Sequence, residues 1–199
     1  MNFLVVLLFI QNIIVNGEEH VAPPGTVPIG ENRFIDKNLI KYIDYYEFIN
    51  WKLVNKAFSK EYLPKDTTIT YQGEQLWHNR KYDQYPIVGL ERDQVIAYCK
   101  WRSEVVNYMK ANWKDSQCNA EYWIKHEKAD PHNDWSIQYD IPSQQDLDIY
   151  KEKQEKYWLN EYTKDGLYER KKKHQDRFSN KSVKVFRCIA YYVKRESSK

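Results

Sequence analysis

The chain has 199 residues, enough for one domain with a substantial core. Its 42% apolar share, raised by 17 Tyr and 7 Trp, marks a globular rather than a disordered chain. With 31 basic against 28 acidic residues the net charge is only +3, which gives no basis for a nucleic-acid partner.

Residues 3–10 form an apolar run, residues 12–15 extend it, and small residues surround Gly17. This is the pattern of a secretory signal, so residues 1–17 are expected to be a signal peptide and 18–199 the domain. The run is too short to span a bilayer, and no Cys follows it to carry a lipid. The expected location is therefore secreted or periplasmic. Three cysteines, Cys99, Cys118 and Cys188, in an exported chain suggest one disulfide and one leftover thiol, with three pairings open.

The turn-rich stretch from Pro23 to Gly30 leads into a first strand. Asp36 is a suitable N-cap for a first helix, with Leu39, Ile40, Ile43 and Tyr46 on one face and Tyr45, Phe48 and Ile49 on another. Such a two-faced helix is expected to be sandwiched between layers. Strand-like pieces follow near residues 67–71, and Ile87-Val88 can form a brief strand. A second helix starts near Asp93, with Val95, Cys99, Val106, Met109 and Trp113 recurring at helical spacing and Arg102 interrupting the stripe. Cys99 is thus expected to face the core. Ser143 with Asp146 makes a capping-box pattern at the start of a short helix. Residues 163–166 form a turn, and residues 183–193 have the β-branched and aromatic content of a terminal strand, broken by Arg187. This order reads as α+β. The cluster from Arg170 to His174 reads as a solvated loop.

Five segments together resemble the formylglycine-generating enzyme, or sulfatase-modifying factor, family, a variant of the C-type lectin fold. The family's I-D-x-x-E-V-T-x-x-x-Y-x-x-F block is matched at Ile35, Asp36, Tyr45 and Phe48, with Leu39 and Lys41 replacing its acid and Thr. Its P-V-V-x-V-S-W-x-x-A-x-x-Y-C-x-W block is matched at Pro86, Val88, Tyr98, Cys99 and Trp101, with Glu91 and Arg92 in place of Ser and Trp. The R-L-P-T-E-A-E-W-E block keeps Pro142 and the capping logic of Ser143. The E-W-T-x-D block is similar to the run Glu161-Tyr162-Thr163-Lys164-Asp165, and G-F-R-C to Val185-Phe186-Arg187-Cys188. The blocks occur in the family's order and cover most of the mature chain.

The resemblance implies small antiparallel sheets packed with short helices and long irregular loops, and a Cys99–Cys188 disulfide. It also implies what is missing. Active members bind copper through two cysteines beyond the fourth block, where residues 169–182 here hold none. Soft Cu(I) needs thiolates, so no copper cofactor and no formylglycine-generating activity are expected. Cys118 lies ahead of the third block and does not replace them.

Two other groups could carry function. His126 and His132, with Glu127, Asp130 and Asp134, could hold a divalent metal, although Pro131 makes a solvated loop the simpler reading. Tyr122, Trp123, Trp135 and Tyr139 on exposed loops would suit a sugar or a protein partner, against core packing as the plainer alternative. The resulting expectation is an exported, non-catalytic protein-interaction module, a pseudoenzyme of the kind found among gliding-motility and secretion-associated envelope proteins. Its partner would be another envelope or secreted protein. The alternatives are a divergent metal-dependent enzyme of the same superfamily and a lectin-like sugar-binding module. Asn180-Lys181-Ser182 is a glycosylation sequon in a eukaryotic secretory route.

Overall fold

The computed structural model describes residues 13–15, 18–111, 135–150, 160–168, 177–179 and 183–195. Strand β1 (Ile13–Val15) pairs antiparallel with β2 (Glu18–His20). Cleavage near Gly17 would remove β1 from that pair. The Pro23-Pro24-Gly25 turn closes with Thr26 N–H donating to the Pro23 carbonyl at 3.1 Å. It opens β3 (Thr26–Gly30), which pairs antiparallel with β4 (Arg33–Asp36).

Asp36 does not cap a helix, contrary to expectation. It ends β4 and is 3% exposed, its main-chain N–H bonded to the Cys188 carbonyl at 3.0 Å. Tertiary partners win the residue before a helix can start. The chain bends at residues 37–38, and Ile40 N–H reaches the Phe186 carbonyl at 2.9 Å. Helix α1 (Tyr42–Val54) begins only there, with the Asp44 carboxylate accepting the Lys41 N–H at 2.9 Å. Tyr42, Tyr45, Phe48 and Ile49 are its buried face, while Ile43, Leu53 and Val54 are exposed. The helix therefore packs on one side rather than being sandwiched.

Strands β5 (Thr70–Tyr71) and β6 (Glu74–Gln75) form a hairpin whose turn residues, Gln72 and Gly73, both have positive φ (53° and 84°). That is the turn geometry whose twist matches paired strands. Residues 87–88 make no strand of their own: the segment is held by a Lys41–Pro86 bridge and by Ile87 N–H on the Ile40 carbonyl at 2.9 Å. At Gly89 (φ 79°) a Cβ would lie 2.1 Å from the Asp66 carbonyl oxygen, so only glycine fits.

Helix α2 (Arg92–Ala111) buries Gln94, Val95, Tyr98, Cys99, Trp101 and Val106, as the periodicity requires. The Gln94 amide fixes its start by donating to the Glu61 carbonyl at 2.8 Å and to that of Leu63. Strand β7 (Trp135–Asp140) alternates strictly, with Trp135, Ile137 and Tyr139 inward. Helix α3 (Gln144–Ile149) carries the expected capping box: Ser143 Oγ accepts from Asp146 N–H at 3.1 Å and Asp146 accepts from Ser143 N–H at 2.8 Å. Strands β8 (Asn160–Thr163) and β9 (Gly166–Tyr168) flank the expected turn. Strands β10 (Lys184–Val185) and β11 (Ile189–Lys194) are separated at Arg187, also as expected.

The main sheet has the order β3-β4-β11-β7, antiparallel throughout. A smaller sheet, β10-β8-β9, contains one parallel pair. The fold is thus α+β. Between the layers an aromatic core joins α1, α2 and the terminal segment: Tyr45 stacks on Tyr98 (centroids 5.8 Å apart), and Tyr98 meets Phe186 edge-on at 5.4 Å. Among the described residues no helix is long and apolar enough to cross a membrane.

Candidate functional site

Asp36, the part-buried Arg102 and the buried Arg187 converge where β4, α2 and the segment before β11 meet. Asp36 Oδ2 accepts from Arg102 Nη1 at 2.7 Å and from the Cys188 main-chain N–H at 2.8 Å. Arg102, an apparent flaw in the apolar stripe of α2, is there to meet this carboxylate. Its guanidinium also lies 4.3 Å from the Tyr139 ring centroid and donates to the Pro24 carbonyl at 3.2 Å. On the other side of Asp36, Arg187 is fully buried, bonding Glu161 at 2.6 Å and the Asp36 carbonyl at 3.0 Å. Breaking such a buried pair by removing one partner costs about 3–5 kcal/mol, because the other charge is left unpaired.

Cys99 and Cys188 meet beside this network. Both are buried thiols, and their sulfurs stand 2.9 Å apart. Burial, and then the hydrogen bond with Cys188, push the Cys99 thiol well above its ordinary pKa. A thiol held neutral is a poor nucleophile and a poor metal ligand. The two sulfurs are neighbours but are not covalently joined.

A cavity of about 340 Å³ opens next to the network, between the end of β4, residues 38–41, the start of α1 and the second half of α2. Leu39, Val105, Val106 and Met109 give it an apolar wall, and Tyr98 and Trp101 an aromatic one. Asp44 and Glu47, three residues apart on one face of α1, stand at its edge. Partial withdrawal from water, followed by the Asp44 charge, raises the Glu47 carboxyl above its ordinary value. Two polar atoms of residues that line it, Asp36 Oδ1 and Trp101 Nε1, are closed off from solvent and have no hydrogen-bond partner. Each such orphan costs about 1–3 kcal/mol.

Of the residues singled out from sequence, the structure brings Cys99 and Cys188 together. Trp135 and Tyr139, weighed from sequence between core packing and a binding face, lie in β7 at 8% and 2% exposure and pack in the core. The physical reason is the strict alternation of β7, which turns both inward. Tyr122, Trp123, His126, His132 and Cys118 lie outside the described residues, as do the basic cluster at 170–174 and the sequon at 180–182. Among the described residues no three His, Cys, Asp or Glu are grouped to hold a metal ion. The acidic edge of the cavity was not picked out from sequence. Its signal was the Asp44/Glu47 spacing, legible only once the true start of α1 is known. Comparison with protein-family models, with curated proteins and with solved structures gave no match.

Proposed function

We propose that this is an exported, non-catalytic domain with the C-type lectin-like fold of sulfatase-modifying factors, serving as a protein-interaction module of the envelope or the extracellular medium. The observation that carries the reading is the meeting of the resembling blocks at one point. Asp36 of the first block, Cys99 of the second, Glu161 of the fourth and Arg187-Cys188 of the last are joined through hydrogen bonds and sulfur contact around the Asp36 node. These blocks lie up to 152 residues apart in the chain. Their residues act as fasteners: the charges are paired and the thiols buried, which is the chemistry of a scaffold.

The purified chain, supplied with copper and a cysteine-containing peptide, is expected to give no aldehyde product. Turnover that follows added copper would overturn the reading. Cross-linking of the native protein in its envelope or medium should in addition trap a second exported protein.

A further inference from the structure

We propose that the cavity between α1 and α2 is a receptor for a cationic side chain, the lysine or arginine of a partner polypeptide. This rests on the reading of the domain as an interaction module and names the chemistry its partner would present.

Charge complementarity carries the inference. The cavity's charged lining is Asp36, Asp44 and Glu47 against Lys41 and Arg102. Both cations are turned to other work. Arg102 is paired with Asp36, and the Lys41 ammonium donates to Gln84 Oε1 at 2.7 Å. Asp44 and Glu47 have no ion-pair partner among the described residues, and they repel each other enough to help lift the Glu47 carboxyl. A guest cation would relieve that repulsion.

The walls fit the rest of such a guest. Lysine and arginine carry an aliphatic stem beneath a charged head. Leu39, Val105, Val106 and Met109 offer the stem an apolar surface, and Trp101 adds an aromatic one that favours cations. That the cation belongs to a polypeptide follows from the reading of the domain as an interaction module.

The test is a nuclear magnetic resonance titration of the full chain with capped glycine–lysine–glycine and glycine–arginine–glycine peptides, the acetyl-lysine version, and butylamine. The lysine and arginine peptides are expected to shift the amides of Asp44, Glu47, Trp101 and Val105 saturably. The acetyl-lysine peptide and butylamine should bind at least about tenfold more weakly. An Asp44→Asn/Glu47→Gln variant should lose at least about tenfold in affinity for the lysine peptide. Because Asn also caps helices and Glu47 is exposed, its melting temperature should stay close to that of the parent. Equal binding of lysine and acetyl-lysine peptides, or full binding by the double variant, overturns the proposal. Butylamine binding as tightly as the peptide overturns the polypeptide assignment. The copper assay reads the non-catalytic function separately, so the two can fail independently.

Discussion

At the scale of single residues, the two sulfurs of Cys99 and Cys188 have a measurable consequence. They are 89 residues apart in sequence and meet in the core. A bridge across so long a loop stabilises by roughly 4–5 kcal/mol on the chain-entropy model. Thiol titration of the unfolded, unreduced protein is expected to find Cys118 alone, and Cys99→Ser should lower the unfolding free energy by about 2–5 kcal/mol. Recovery of all three thiols would exclude the bridge. The burial of Cys99 was legible from helical spacing, because a residue's place on a helix face is a local property. The role of Arg102 was not. A charge in an apolar stripe looks like an error until its partner, Asp36, arrives from 66 residues away.

At the scale of elements, α2 does something unusual with its polar side chains. Strand β7 is an edge of the main sheet, and edges with free N–H and C=O groups invite pairing with other chains. Asn107 closes this one as a neighbouring strand would, donating to the Ile137 carbonyl at 2.7 Å and accepting from its N–H at 2.8 Å. Ser103 accepts the Tyr139 N–H at 2.8 Å and Lys110 reaches the Trp135 carbonyl at 2.9 Å. Positions 103, 107 and 110 fall on one side of the helix. Asn107→Ala is expected to cost about 2–4 kcal/mol in urea unfolding, for two part-buried main-chain groups left without partners. A loss below about 0.5 kcal/mol would show that water replaces the amide. The other edge, β3, is protected differently, by Pro28 within the strand. The same scale shows why sequence placed some elements well and others badly. The Ser143–Asp146 box and the 163–166 turn are decided within four residues. The start of α1 was displaced because Asp36 is claimed by Arg102 and Cys188, and such claims have no local signature.

At the scale of the molecule, the core is unusually rich in phenols. Tyr42, Tyr45 and Tyr98 are all buried, and burial raises each above the ordinary phenol value of 10.0. Their protons are held more tightly in the folded state than in the unfolded one. The stability they contribute is therefore fully present below about pH 10 and is lost as pH rises through the folded values. Alkaline titration should show phenolate absorbance appearing late and together with loss of the near-ultraviolet dichroism. Early, gradual ionisation of all the tyrosines in a folded protein would contradict this. The α+β character was legible from the order of periodicities. The way the sheet closes was not, since it depends on pairings that span most of the chain.

Strand β11 lies between β4 and β7, so the last strand of the chain order occupies an inner position of the main sheet. During synthesis β4 and β7 emerge from the ribosome long before the segment that joins them. Cys188 and the buried Arg187 arrive only with it. Until residues 187–194 are free of the ribosome, neither the sheet nor the core has its central piece. Such long-range pairing is slow to form. A chain in which that segment has not yet emerged lacks the strand that joins β4 to β7.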